Sequence, residues 1–303
     1  MNFRRLIPCG IGRVLFAGLP RVCQASRVLW AFQRRCRMQP EDIINLDAYP
    51  IADRNAPERK ALIQRLRAEL ADKQYVSLPD FIRPEARAQA VADAMEALPR
   101  AHPNCADRSC YLHRQGDASL PPDHPRNIML KSSTRMLAYD RFSDESPVKT
   151  LYHWAPVREM VTEVVGAQAL YDSADPCQPV NLLCYEPGDQ SAWHFDSDNA
   201  FTMTLMLQAA DRGGEFEMVP NTRSDDDQNY DYVAQVVTGA RPQDTVAVAR
   251  EVGSLCIFRG CNSVHRVSPV EGETTRIMAV FVYEDAPGVV GDPKVNETIY
   301  GRV

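Results

Sequence analysis

The chain has 303 residues, 45% of them apolar and 24% charged, with a formal net charge of −6 at pH 7. That suffices for one large or two small domains with a sizeable core. No basic stripe argues for nucleic acid, and no run of about 18 apolar residues argues for a membrane span. The nine cysteines are scattered and form no C-x-x-C pair. This argues against a zinc ribbon or thioredoxin-like site and for free thiols in a reducing, cytoplasmic compartment.

Residues 1–37 carry eight arginines and no Asp or Glu. Three readings compete: a mitochondrial presequence, which is Arg-rich and acid-poor, an upstream extension of the reading frame with Met38 as the start, and a basic arm for acidic surfaces. The extension is favoured; a genuine presequence would instead send the protein to the mitochondrion. From Met38 the composition becomes mixed. Pro57 to Gln74 has Leu62, Ile63, Leu66 and Leu70 at helical spacing, with Pro57 in a first turn. Tyr75 to Ile82 reads as a strand ending in a turn, and Arg83 to Leu98 as a second helix. His102 to Arg126, rich in Pro, Asp, Asn and Ser, reads as a long irregular segment of the kind that forms lids. Val157 to Val165 is a short helix ended by Gly166.

From Leu170 the period becomes strand-like. Strands are expected at Val180–Tyr185, Ala192–Phe195, Thr202–Gln208, Glu215–Val219, Thr245–Ala249, Ser254–Arg259, Val264–Val267 and Arg276–Tyr283, with a helix over Tyr230 to Val237. The expected class is α+β, mainly β: a double-sheet core over 170–303 under a helical N-terminal part and lid over 38–169.

The chemistry concentrates in Asn181 to Asp196. In a strand, His194 and Asp196 point to one face and Trp193 and Phe195 to the other. His-x-Asp alone is a weak signal. It gains weight from Val264 to Val267 and Arg276 to Tyr283, which, folded about residues 270–272, set His265 opposite a residue close to Arg276. Arg276 shares a face with Met278, Val280 and Val282, and a cation on an apolar strand face needs an anion. Two imidazoles and one carboxylate suit non-haem Fe(II), with three positions left for a bidentate 2-oxo acid and O2. Arginine is the residue to grip that acid's far carboxylate. Tyr185 is placed to help it, and Asn181 to reach the keto-acid end.

The order Tyr185, Gly188, His194-Phe195-Asp196, Gly213-Gly214-Glu215-Phe216, Gly253-Ser254-Leu255, Phe258, His265-Arg266-Val267 and Arg276 resembles the Fe(II)/2-oxoglutarate-dependent oxygenases. The likeness is greatest to their prolyl-4-hydroxylase-like branch, and it spans roughly residues 170–285. It implies a double-stranded β-helix, or jelly roll, with His194, Asp196 and His265 on iron and Arg276 on 2-oxoglutarate. The family often has Ser or Thr two residues after that arginine; here it is Met278. Similar radical halogenases that act on free amino acids carry Gly where this chain has Asp196, so hydroxylation is expected rather than halogenation. A small-molecule substrate, an amino acid or a derivative, is expected to contact Asp198, Asn199 and Lys131. The alternatives are the same chemistry on a protein or peptide side chain, and a non-catalytic jelly-roll binding module.

Overall fold

Two antiparallel sheets exchange the chain between them. A computed structural model describes residues 37–197 and 201–302. The expected basic extension therefore lies outside the described residues except for Arg37, and so do Asp198 and Asn199. The strands of the two sheets are β1 Tyr75–Leu78, β2 His102–Arg108, β3 Leu130–Leu137, β4 Val180–Tyr185, β5 Ser191–His194, β6 Thr202–Gln208, β7 Phe216–Val219, β8 Val246–Ala247, β9 Leu255–Phe258, β10 Val264–Val267 and β11 Arg276–Phe281. The larger sheet has the order β1-β9-β6-β11-β4-β3-β2 and the smaller β8-β7-β10-β5. From β4 onward the chain crosses repeatedly from one sheet to the other, which is the winding of a jelly roll.

The helices longer than one turn are α1 Pro57–Lys73, α2 Pro84–Ala97, α3 Pro147–His153, α4 Ala155–Val165, α5 Tyr230–Val237 and α6 Pro293–Tyr300. Leu62, Ile63, Leu66 and Leu70 of α1 and Val157, Val161 and Val164 of α4 are buried in one cluster with Leu182, Met203, Leu205, Ile277 and Ala279. Those strand residues occupy one face of the larger sheet. Each such side chain contributes about 1.5–3 kcal/mol on leaving water. The alternate residues on the same strands, Asn181, Leu183 and Tyr185 with Thr202, Thr204, Met278 and Val280, face a cavity instead. Period-2 alternation thus divides the sheet into a structural face and a site face.

Two expectations are corrected. His102 to Arg126 is not wholly irregular: its start is β2, which pairs with β3 from His102↔Met136 to Arg108↔Leu130. The strand lacks apolar alternation because it lies at the edge of the sheet, where Pro103 is tolerated. Among the described residues that line the cavity none comes from 102–126, although Arg108 lies near enough to His194, Asp196 and Tyr185 for their charges to interact. Cys110 and Tyr111 instead pack with Trp193, Phe195 and α5. Finally, β10 and β11 do not form a hairpin. They belong to different sheets, and the connection between them pairs Val270–Glu271 with Arg212–Gly213.

Behind the helical layer the Tyr152 and Tyr283 rings stack with centroids 4.8 Å apart, and the Tyr283 hydroxyl donates to the Tyr152 carbonyl at 2.8 Å. Burial raises both phenols above their ordinary value of 10.0. An acid held neutral by the fold stabilises fully below the unfolded pKa and loses that contribution as pH rises through it. Urea unfolding midpoints are therefore expected to fall between pH 9 and pH 11. They should fall less steeply in Tyr283→Phe, even though that variant is weaker at pH 8; equal slopes would contradict the assignment.

Candidate active site

The ladder between β10 and β5 sets His265 directly opposite His194. Their rings lie 4.3 Å apart, centroid to centroid. Each imidazole is oriented by its own backbone: His194 Nδ1 meets the Ala192 carbonyl at 2.7 Å, and His265 Nδ1 the Ser263 carbonyl at 3.0 Å. An Nδ1–H engaged in this way leaves Nε2 as the free donor atom. Both Nε2 atoms turn to the Asp196 carboxylate, at 3.7 Å from His194 and 3.4 Å from His265. Donor atoms of all three residues lie within 4.8 Å of one another. Two imidazole nitrogens and a carboxylate oxygen at such separations fit one divalent ion, with open positions on the cavity side.

Asp196 lies just beyond β5 and is held from three directions. Its N–H donates to the Gly260 carbonyl at 3.1 Å, and the preceding Phe195 N–H donates to the Cys110 carbonyl at 2.8 Å. The Thr202 hydroxyl donates to Oδ2. Burial pushes the Asp196 carboxyl up, but His265, His194 and the Thr202 hydroxyl outweigh it and hold the group well below the usual carboxylate range. Burial, reinforced by His265 and Arg108 and opposed by Asp196, drives His194 down to about 3. At neutral pH the cluster thus presents a carboxylate and a neutral His194, the forms that bind metal.

The cavity, of about 270 Å³, lies between the two sheets. His194, Asp196 and His265 line one part of it together with Ser191, Phe216 and Val267, and the site face of the larger sheet lines the rest. Tyr185 borders it and is 1% exposed. Asn181 also borders it, but both ends of its amide are engaged: Nδ2 donates to the Gln178 carbonyl at 3.0 Å, and Oδ1 accepts from the Tyr300 hydroxyl of α6. Arg276 pairs across the ladder with Tyr185. Its guanidinium sits 5.1 Å from the Tyr185 ring, its Nε donates to the Gly214 carbonyl at 3.0 Å, and its Nη1 is buried without a partner. Burial lowers its pKa to about 10, so it stays charged at neutral pH.

Lys131 is exposed and does not line the cavity. On β3 it alternates with Met136, which does, so the two point to opposite faces of the strand.

Sequence reasoning missed Thr202, Gly260 and Arg250. Arg250 lines the cavity. A signal for it existed: Val246, Val248 and Arg250 share a strand phase, and Val248 is buried. Nothing in the sequence ties Gly260 to Asp196, because that contact joins distant loops.

These features can be set beside known proteins. The family model of Halogenase D matches residues 58–298. The chain belongs to the Halogenase D family. No curated protein matches the sequence. Among solved structures, the non-haem alpha-ketoglutarate-dependent carbocyclase SnoK from nogalamycin biosynthesis is similar at 16% identity and a TM-score of 0.52, over 75% of this chain and 87% of that one. The epimerase SnoN from the same biosynthesis is similar at 16% identity and a TM-score of 0.50, over 75% and 82%. A prolyl-4-hydroxylase from Pseudomonas putida matches at 14% identity and a TM-score of 0.44, over 72% and 97%. The fold is that of the 2-oxoglutarate/Fe(II) oxygenases. Among the described residues no helix is long and apolar enough to cross a membrane.

A Cβ added at Gly260 would lie 1.9 Å from Asp196 Oδ2. The short Asp side chain can yield only by leaving the two Nε2 atoms. Gly260→Ala is expected to weaken Fe(II) binding at least about 10-fold, roughly 1.4 kcal/mol, with little change in melting temperature. Unchanged iron affinity by anaerobic titration would contradict the packing described.

Proposed function

We propose that the protein is an Fe(II)- and 2-oxoglutarate-dependent dioxygenase that hydroxylates an unactivated C–H bond of a small molecule, an amino acid or a derivative. The observation that carries this reading is the meeting of His194 Nε2, His265 Nε2 and Asp196 Oδ1 at one end of the cavity between the sheets. Iron would be held by those three residues, and bound iron would supply O2 activation coupled to conversion of 2-oxoglutarate to succinate and CO2.

The remaining roles belong to the chain. Arg276, buried and without an acid partner, is suited to the far carboxylate of 2-oxoglutarate, with Tyr185 beside it. Thr202 and the Gly260 backbone hold Asp196 in place. Phe216, Val267, Leu183 and Val280 give the cavity apolar walls against which a substrate carbon can be positioned. Asn181 is a weaker candidate, because Tyr300 and the Gln178 carbonyl already occupy its amide. Asp198 and Asn199 remain substrate-contact candidates on sequence position alone.

Two considerations bear on reaction and substrate. The family is named for a halogenase, yet this chain carries Asp196 where similar halogenases carry Gly, and a carboxylate ligand takes the position a halide would need. The cavity is near the lower end of small-ligand pockets, about 300 Å³ upward. A dicarboxylate would fill much of it, which leaves room for an amino acid rather than for a folded peptide segment.

The test is a substrate screen on anaerobically iron-loaded protein, amino acids first, read by succinate formation and product mass. A gain of about 16 mass units marks hydroxylation, and about 34 marks chlorination. His194→Ala and Asp196→Ala are expected to lose turnover by at least about 100-fold with the fold intact. Undiminished turnover in either variant would remove the triad assignment, and a chlorinated product from wild type would overturn the choice of hydroxylation.

A further inference from the structure

We infer that Arg250 is a second anion-binding guanidinium of the cavity and that it shares with Arg276 the distal carboxylate of the 2-oxo dicarboxylate. The inference rests on the reading above and extends it to a residue that the sequence did not single out.

The Arg250 guanidinium lies 3.4 Å from the centroid of the Phe216 ring and 5.1 Å from that of Phe258. Both rings border the small apolar cluster around Tyr185 and Val267. Flat contact of this kind fixes the plane of the fork. Nη1 reaches Met278 Sδ at 3.2 Å and the Cys256 thiol lies beside the guanidinium, both weak sulfur partners, while Nε and Nη2 are shut off from solvent with no oxygen acceptor. Arg276 approaches the same sulfur with Nη2 at 4.0 Å, and its Nη1 is also buried and unpartnered.

Two cations therefore converge on one thioether. A thioether is a weak acceptor, so three buried N–H-bearing nitrogens are left without an acceptor worth the name. Among the described residues neither arginine forms an ion pair with a carboxylate. Burial disfavours both charges, and Arg250 lowers Arg276 further. Such an arrangement is costly unless an anion completes it.

A carboxylate fits the deficit. Its two oxygens offer about four lone-pair sites, enough for two forks at once. Position 278 carries no hydroxyl that could donate to that carboxylate, whereas Arg250 borders the same cavity with two unpartnered nitrogens. A single arginine with one free terminal nitrogen would hold the anion less firmly than two.

The test is titration of the full chain, anaerobically loaded with Mn(II) in place of iron, with 2-oxoglutarate and with 2-oxopentanoate, which lacks the distal carboxylate. Arg250→Gln is expected to raise the Kd for 2-oxoglutarate about 10- to 100-fold and to leave the Kd for 2-oxopentanoate and for Mn(II) as in wild type. Arg250→Lys, which keeps the charge and loses the fork, should fall between, and it carries the comparison if the glutamine variant does not fold. Unchanged 2-oxoglutarate affinity, or equal weakening for both acids, would overturn the inference; unchanged 2-oxoglutarate affinity with weakened substrate binding would move Arg250 to the substrate. Wild-type protein that binds neither acid would instead sink the broader functional reading.

Discussion

One cross-strand pair governs the site: His194 opposite His265 on the ladder of β5 and β10. A ladder position fixes both backbones, and the carbonyls two residues upstream fix both ring tautomers. The jelly roll brings these strands together although 70 residues of sequence lie between them, since both belong to the smaller sheet. Asp196 then needs only to turn toward the ring pair; Gly260, lacking a Cβ, leaves room for its carboxylate, and the Thr202 hydroxyl holds it there. A one-residue slip in this ladder would send an imidazole to the opposite face, among Trp193 and Phe195.

The second constraint is electrostatic. A core that buries Arg250 and Arg276 without a carboxylate partner is paying in stability for a ligand it expects. Two buried cations elsewhere among the described residues have acid partners. Arg59, 1% exposed, meets Glu163 at 2.9 Å, and Lys149, 2% exposed, meets Asp144 at 2.7 Å. The contrast separates structural cations from those of the cavity, and it does so without reference to any relative.

Much of this was legible in the sequence because it rests on local periodicity. The alternation of Asn181, Leu183 and Tyr185 marks the site face of β4, and the spacing of Leu62, Ile63, Leu66 and Leu70 marks the buried stripe of α1. What escaped depends on contacts distant in sequence or on edge positions. Strand β2 reads as loop because an edge strand with one side exposed needs no apolar alternation. The hairpin expected around residues 270–272 failed because a polar connection does not reveal whether it turns within a sheet or crosses to another. Lys131 looked like a ligand contact because its segment is polar, whereas the pleat of β3 points it away. Helix α6, whose Tyr300 engages Asn181, was not among the expected elements, although Asp292 caps it by accepting from the Lys294 N–H at 2.8 Å.

The account stands or falls on where a metal sits. The most direct measurement is anomalous diffraction at the iron edge from crystals grown anaerobically with Fe(II) and 2-oxoglutarate. The account predicts one peak per chain, bonded to His194 Nε2, His265 Nε2 and Asp196 Oδ1. A peak on other residues, or iron bound by only one of the three, would contradict it.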